Sequence, residues 1–194
     1  GPDGVVNGFA SVYRLQGGNW VQRGSTISGN DGEWTGYAVA MSGDGDTVCV
    51  GDRAYVVPNV GERGRARCFV WSGNDWKRKG ADILGKNELA LMGYSLALSH
   101  NGDHVVVGAR GGGDSNQGSV GIYSYGGGKW NQRGEDMIGD AADDQTGFQV
   151  AMNADGNVVA WSARGHDGNG SNAGVVRVLR WLNGGWNMLG SELS

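Results

Sequence analysis

Much of what would announce a familiar activity is scarce in this sequence. Proline occurs twice, cysteine twice and histidine three times in 194 residues. Two cysteines, Cys49 and Cys68, are too few for a disulfide framework or a four-ligand zinc site. They fall on neighbouring expected strands, so a cross-strand bridge and a pair of buried free thiols are both open, the free thiols being the commoner outcome. There is no excess of basic charge: the net charge is −4 and the pI is near 5.3, which excludes a global attraction to nucleic acid or to an anionic membrane. Long apolar runs are absent too. The window Leu89 to Leu98 is interrupted by Gly93, Tyr94 and Ser95, far short of the roughly 20 apolar residues of a membrane span. The sequence has no HExxH, Cys-X-X-Cys, phosphate loop or nucleophile elbow. The Gly1-Pro2 start has the look of a protease-site scar, so a leader upstream of it stays open.

Glycine is what the chain has in quantity, 39 residues of it, together with 8 tryptophans. There is no Gly-X-Y period, so collagen is excluded, and a chain of this size can bury roughly 70% of its extended surface. The glycines are punctuation in a repeat. Trp20, Trp76, Trp130 and Trp186 are spaced by 56, 54 and 56, each with a glycine four residues later: Gly24, Gly80, Gly134 and Gly190. Gly36, Gly93 and Gly147 keep the spacing 57 and 54, and so do Arg53, Arg110 and Arg164. A fixed long period redefines the fold before any local reading does.

Within each unit the period is two. Tyr37-Ala-Val-Ala-Met41, Tyr94-Ser-Leu-Ala-Leu98 and Phe148-Gln-Val-Ala-Met152 read as first strands, closed by Asp-Gly or Asn-Gly turns before Thr47, His104 and Val158. A third strand (Arg67 to Trp71, Gly121 to Tyr125, Arg177 to Trp181) and a fourth opening with the repeating Trp complete each unit. Small residues such as Ala38, Ala40, Ser95 and Ala97 suit the narrow inner end of a wedge, with Val39, Leu96 and Val150 expected in the core between sheets. Four short strands per 54 to 57 residues and no helical segment predict an all-β propeller. The blades span residues 35–84, 92–139 and 146–190, after a half blade at 8–28. About three and a half blades leave faces uncovered, so the chain is a piece of a longer propeller, is completed by copies or partners, or is a capped open arc.

The units resemble the FG-GAP repeat of integrin-alpha-type propellers. Thr35-Gly36-Tyr37, Met92-Gly93-Tyr94 and Thr146-Gly147-Phe148 correspond to the FG element, and Gly51-Asp52-Arg53, Gly108-Ala109-Arg110 and Ser162-Ala163-Arg164 to the GAP element. None has the proline of GAP, and Ser162 stands where the other units have glycine. The resemblance implies calcium in the loop between the first two strands. Here each turn keeps at most two side-chain oxygens, as in Asp44 and Asp46, so no cofactor is expected. Asp114 and the loop from Asp167 to Asn172 are the other calcium candidates.

No catalytic residue is expected, because His100, His104 and His166 lie in turns or at strand ends without an oriented nucleophile. The acidic run Asp136, Asp140, Asp143 and Asp144 is the enzyme alternative, as a polysaccharide hydrolase. Binding is preferred. Arg53, Arg110 and Arg164 either form an anion-binding arc or pair with acids such as Asp82 and Asp136, and Trp34 and Trp161 are candidates for stacking on a sugar. Residues 51–79 carry a net +4 and residues 135–155 a net −6, poles able to steer association. The expected function is non-enzymatic protein binding, adhesion or scaffolding, with a glycan-binding propeller as the alternative. The partners are a protein or further copies of the chain, with no nucleic acid. The sequon at Asn169 fits a secreted, cell-surface or luminal setting.

Overall fold

The computed structural model describes residues 7–113 and 115–193 and contains strands, turns and no α-helix among them. No helix among the described residues is therefore long and apolar enough to cross a membrane. The chain opens with a half unit: β1 (Phe9–Ala10), β2 (Tyr13–Gln16), β3 (Asn19–Gln22) and β4 (Ile27–Ser28), in which β2 pairs β3 and β1 pairs β4. The first complete sheet follows with β5 (Thr35–Met41) and β6 (Thr47–Asp52), then a small loop hairpin of β7 (Val56–Val57) and β8 (Gly61–Glu62), then β9 (Arg65–Trp71), β10 (Trp76–Arg78) and β11 (Ile83–Leu84). The second holds β12 (Met92–Leu98), β13 (His104–Ala109), β14 (Ser119–Gly126), β15 (Lys129–Gln132) and β16 (Met137–Ile138). The third holds β17 (Thr146–Met152), β18 (Val158–Ala163), β19 (Val175–Leu182) and β20 (Gly185–Met188).

Each complete sheet is an antiparallel meander in chain order, from an inner strand (β5, β12 or β17) to an outer one. The outer strand of the first two sheets is split: β10 pairs the end of β9 and β11 its beginning, as β15 and β16 do with β14. Inner strands of successive sheets meet side by side, with Tyr37 and Tyr94 rings 4.9 Å apart and Tyr94 and Phe148 rings 5.5 Å apart. The result is a partial β-propeller, a half unit and three blades.

The core lies between sheets rather than within one. Val12 and Ile27 of the half unit pack on Val48, Val50 and Phe69. Cys49, Ala66 and Ile83 of the first blade meet Val105, Val107 and Tyr123 of the second. Val106, Val120 and Ile122 then meet Val159, Trp161 and Leu179. In the first two blades the alternation of the strands thus feeds two cores, as Val48 and Cys49, and Val105 and Val106, show by lying in different ones.

Two expectations need correction. Cys49 and Cys68 are joined, because β6 and β9 place them directly opposite each other in the ladder. Val39 fills no core: it is 60% exposed, since the half unit in front of β5 presents no inner strands to cover it among the described residues.

Candidate functional site: an arginine and aromatic arc at the rim

At the start of every inner strand the register slips, between Thr35 and Val39, Met92 and Ser95, and Thr146 and Gln149. The slip is a bulge built on Gly36, Gly93 and Gly147, whose φ angles of 82°, 85° and 84° suit glycine. The bulge re-aims the next residue, so that Tyr37, Tyr94 and Phe148 line one rim of the blades around a cleft of about 460 Å³. The end of each second strand lies opposite this bulge, and the arginine that follows it lands on the ring. Arg53 stacks over Tyr37 at 4.6 Å and over Trp34 at 4.4 Å, Arg110 over Tyr94 at 5.4 Å, and Arg164 over Phe148 at 4.9 Å.

The structure brings together Arg53, Arg110, Arg164 and Trp34, and none of these arginines has a carboxylate within 4.0 Å among the described residues. The expected pairing with Asp82 and Asp136 is corrected: Asp82 binds Arg65 and Arg78, and Asp136 binds Lys86. Arg110 Nε donates to the neutral Gln145 Oε1 at 3.0 Å, and the buried Arg53 Nε has no hydrogen-bond partner among the described residues. The Tyr37 hydroxyl is held above its ordinary value of 10, first through Tyr94 and then by burial, so it stays protonated and able to donate. Guanidinium forks and phenol donors beside exposed ring faces can bind carboxylate, sulfate or phosphate.

Trp161 is not part of this surface. It is 5% exposed in the core between the second and third blades, so it offers no sugar platform. The basic pole also dissolves. Arg65 and Arg67 are tied to the fully buried Asp52 at 2.6 and 2.5 Å, Arg65 reaches Glu33 at 3.0 Å, and Lys79 is held by Asp103 at 2.9 Å. This buried network was missed by reading the charges as a field. Its signal was a break in the repeat, since Ala109 and Ala163 stand where the first blade has Asp52.

The acidic run is dispersed. Asp136 accepts from Gln132 and pairs with Lys86, while the buried Asp144 accepts from the Ala141 amide. Asp140, Asp144 and His166 do bring ligand atoms within 4.8 Å of one another. Asp140 is already engaged by Arg177, which holds its carboxyl below the usual range. In the hairpin turns Asp44 Oδ1 accepts from Ser42 Oγ at 2.5 Å and from the Asp46 amide at 2.9 Å, and Asn101 Oδ1 accepts from Ser99 Oγ and the Asp103 amide. Asp167 accepts from the Asn172 amide, and Asp114 lies outside the described residues.

No protein-family model matches the chain, and no curated protein matches it. Solved structures of the propeller type do. Sqt1 of Saccharomyces cerevisiae matches with a TM-score of 0.51 at 15% identity, over 80% of this chain and 35% of that one. A putative 6-phosphogluconolactonase of Bacteroides fragilis matches with a TM-score of 0.57 at 12% identity, over 90% of this chain and 44% of that one. The chain therefore spans less than half the length of these neighbours, and the likeness is one of fold. The second neighbour bears an enzyme's name, which overturns the expectation that this chain is not an enzyme. Blades of this kind occur in a protein so named, and the lack of a local catalytic motif excludes nothing. The chain is a partial β-propeller by its own geometry and by both likenesses.

Proposed function

We propose that the chain is a binding segment of an FG-GAP-like propeller, and that the arc of Arg53, Arg110 and Arg164 receives acidic groups of a protein partner. The observation that carries this reading is the recurrence of a ring-stacked arginine at one blade position, three times over, with no acid to neutralise it among the described residues. A guanidinium resting on a ring has little conformational freedom left to lose, so an incoming carboxylate or sulfate meets a preorganised fork. The Cys49–Cys68 bridge supports an oxidising compartment, at the cell surface, in a lumen or outside the cell. A glycan is the second reading, favoured by Trp34, which is 41% exposed beside Arg53.

Calorimetric titration with a glutamate-rich peptide, a tyrosine-sulfated peptide and a neutral oligosaccharide tests the choice. Hydrolysis of 6-phosphogluconolactone is assayed in parallel, as the neighbour's name suggests. Binding of an acidic peptide that weakens at least tenfold in Arg53→Met with Arg110→Met, and that falls with added salt, is the expected result. Equal binding by the double variant, or binding of the neutral sugar alone, removes the acidic-partner reading.

A further inference from the structure

The first blade buries one guanidinium among partners of its own. Arg65 Nε donates to Asp52 at 2.6 Å, while Nη2 donates to Glu33 and Nη1 to Asp82, both at 3.0 Å. Its charged end lies 3.8 Å from the centre of the Tyr55 ring. Three carboxylates and an aromatic face thus surround a single side chain.

The second blade repeats the backbone of this niche with other contents. Ser119 stands opposite Ala109 in the ladder as Arg65 stands opposite Asp52. The Ala90 carbonyl accepts from the Gly111 amide as the Glu33 carbonyl accepts from Ala54, and the Gly112 amide donates to the Ala109 carbonyl as Tyr55 does to Asp52. Asp136 lies two residues before Ile138, which pairs Ser119, as Asp82 lies two before Leu84, which pairs Arg65. Alanine therefore replaces Glu33 and Asp52, glycine replaces the ring, serine replaces the arginine, and one carboxylate is kept. What remains is a cavity of about 300 Å³, lined by Ala90, Ala109, Gly112, Ser119 and Asp136, the counterparts of Glu33, Asp52, Tyr55, Arg65 and Asp82.

The chemistry of the wall selects the guest. Ala90, Met92 and Ala109 are buried and apolar, a surface suited to a methylene stem. Glu135 and Asp136 set two carboxylates there against the one ammonium of Lys86. Asp136 Oδ1 accepts from the neutral Gln132 at 2.7 Å, and Oδ2 meets Lys86 Nζ at 2.6 Å. The Lys86 side chain is 54% exposed, so its ammonium holds Asp136 from the solvent side and exchanges at little cost. We propose that this cavity receives the arginine side chain of a protein partner. The stem lies along Ala90, Met92 and Ala109, and the guanidinium takes Asp136 Oδ2 from Lys86. A guanidinium is more weakly hydrated than an ammonium and offers a planar fork instead of a point charge, so it gives up less on entering a half-apolar cavity. The second blade thus takes from a partner the group that the first blade supplies to itself.

Titration of the isotope-labelled chain with N-acetyl-argininamide, followed by nuclear magnetic resonance, tests this. The expected result is a saturable shift of the Gly112 and Ser119 amides, with the isosteric but uncharged N-acetyl-citrullinamide binding at least tenfold more weakly. Asp136→Asn should weaken binding at least tenfold, and Lys86→Met should strengthen it by freeing Asp136. Ser119→Arg with Ala109→Asp rebuilds the pair of the first blade inside the cavity and should abolish binding. Melting temperatures certify that each variant folds, and Lys86→Met, at an exposed position, keeps the test standing if the cavity variants do not. Absence of a saturable shift, equal binding of the citrulline compound, or binding that Lys86→Met fails to strengthen overturns the proposal. Free arginine binding more tightly than the capped amide would make the guest an amino acid and overturn the assignment to a protein partner.

Discussion

His104 opens the second strand of the middle blade, with Nδ1 2.9 Å from Ser124 Oγ. Its pKa lies below the ordinary value of 6.5, first because burial penalises the imidazolium and then because Arg133 is near, while Asp103 and Asp155 oppose the shift. The unfolded chain thus binds the proton more readily, and stability rises with pH through this window. The contribution is fully present above pH 6.5 and is lost as the pH falls through the folded value. Melting temperatures at pH 7.5, 6.5 and 5.5 should show a decline on acidification that is shallower in His104→Gln. An equal decline in both proteins would assign the acid sensitivity to other groups. The sequence marked His104 as a surface or structural residue rather than a catalytic one, from its place at a strand end. The titration behaviour was not legible there, since it depends on neighbours brought from other strands and from the adjoining blade.

Strands of successive blades approach so closely that a single methyl group decides whether they fit. A Cβ on Gly108 would lie 2.2 Å from the Gly147 carbonyl oxygen of the next blade, and one on Gly51 would lie 2.0 Å from the Gly93 oxygen. Ser162 holds the same place in the third blade, where no following inner strand is present among the described residues. Gly108→Ala should therefore cost about 1–3 kcal/mol by overpacking, whereas Ser162→Ala should stay within about 0.5 kcal/mol. Urea unfolding of both variants checks the contrast, and equal costs would mean that the close approach is not what selects glycine. This element was half legible. The spacing showed that Gly51 and Gly108 are equivalent and that Ser162 departs from them. Why the departure is tolerated depends on what stands across the junction, and that is a property of the assembled blades.

On the scale of the whole molecule, the arc of blades is held by burial between sheets, by one cross-strand disulfide, and by Arg23, Lys79 and Arg133, which bond to Asp46, Asp103 and Asn157 in the hairpin turn of the next blade. One side-chain oxygen in each hairpin turn, Asp44 Oδ1, Asn101 Oδ1 and Asp155 Oδ1, already accepts from a backbone amide of that turn. Chelation with EDTA should accordingly leave the melting temperature unchanged, while reduction of Cys49–Cys68, which closes a sequence separation of 19, should cost about 3 kcal/mol. Calorimetry with and without each reagent separates the two, and a large loss on chelation would reveal a metal dependence that the turns do not display.

Periodicity alone determined the all-β class, the number of units and the places of the repeating Trp, Gly and Arg, because each strand must alternate its side chains and each unit must repeat its turns wherever it sits. It could not determine which charges meet. Asp52 with Arg65, the stacking of Arg53 on Tyr37, the burial of Trp161 and the bridge between Cys49 and Cys68 all arise from residues far apart in the chain. Their energies depend on distance and desolvation, which exist only after the sheets have packed.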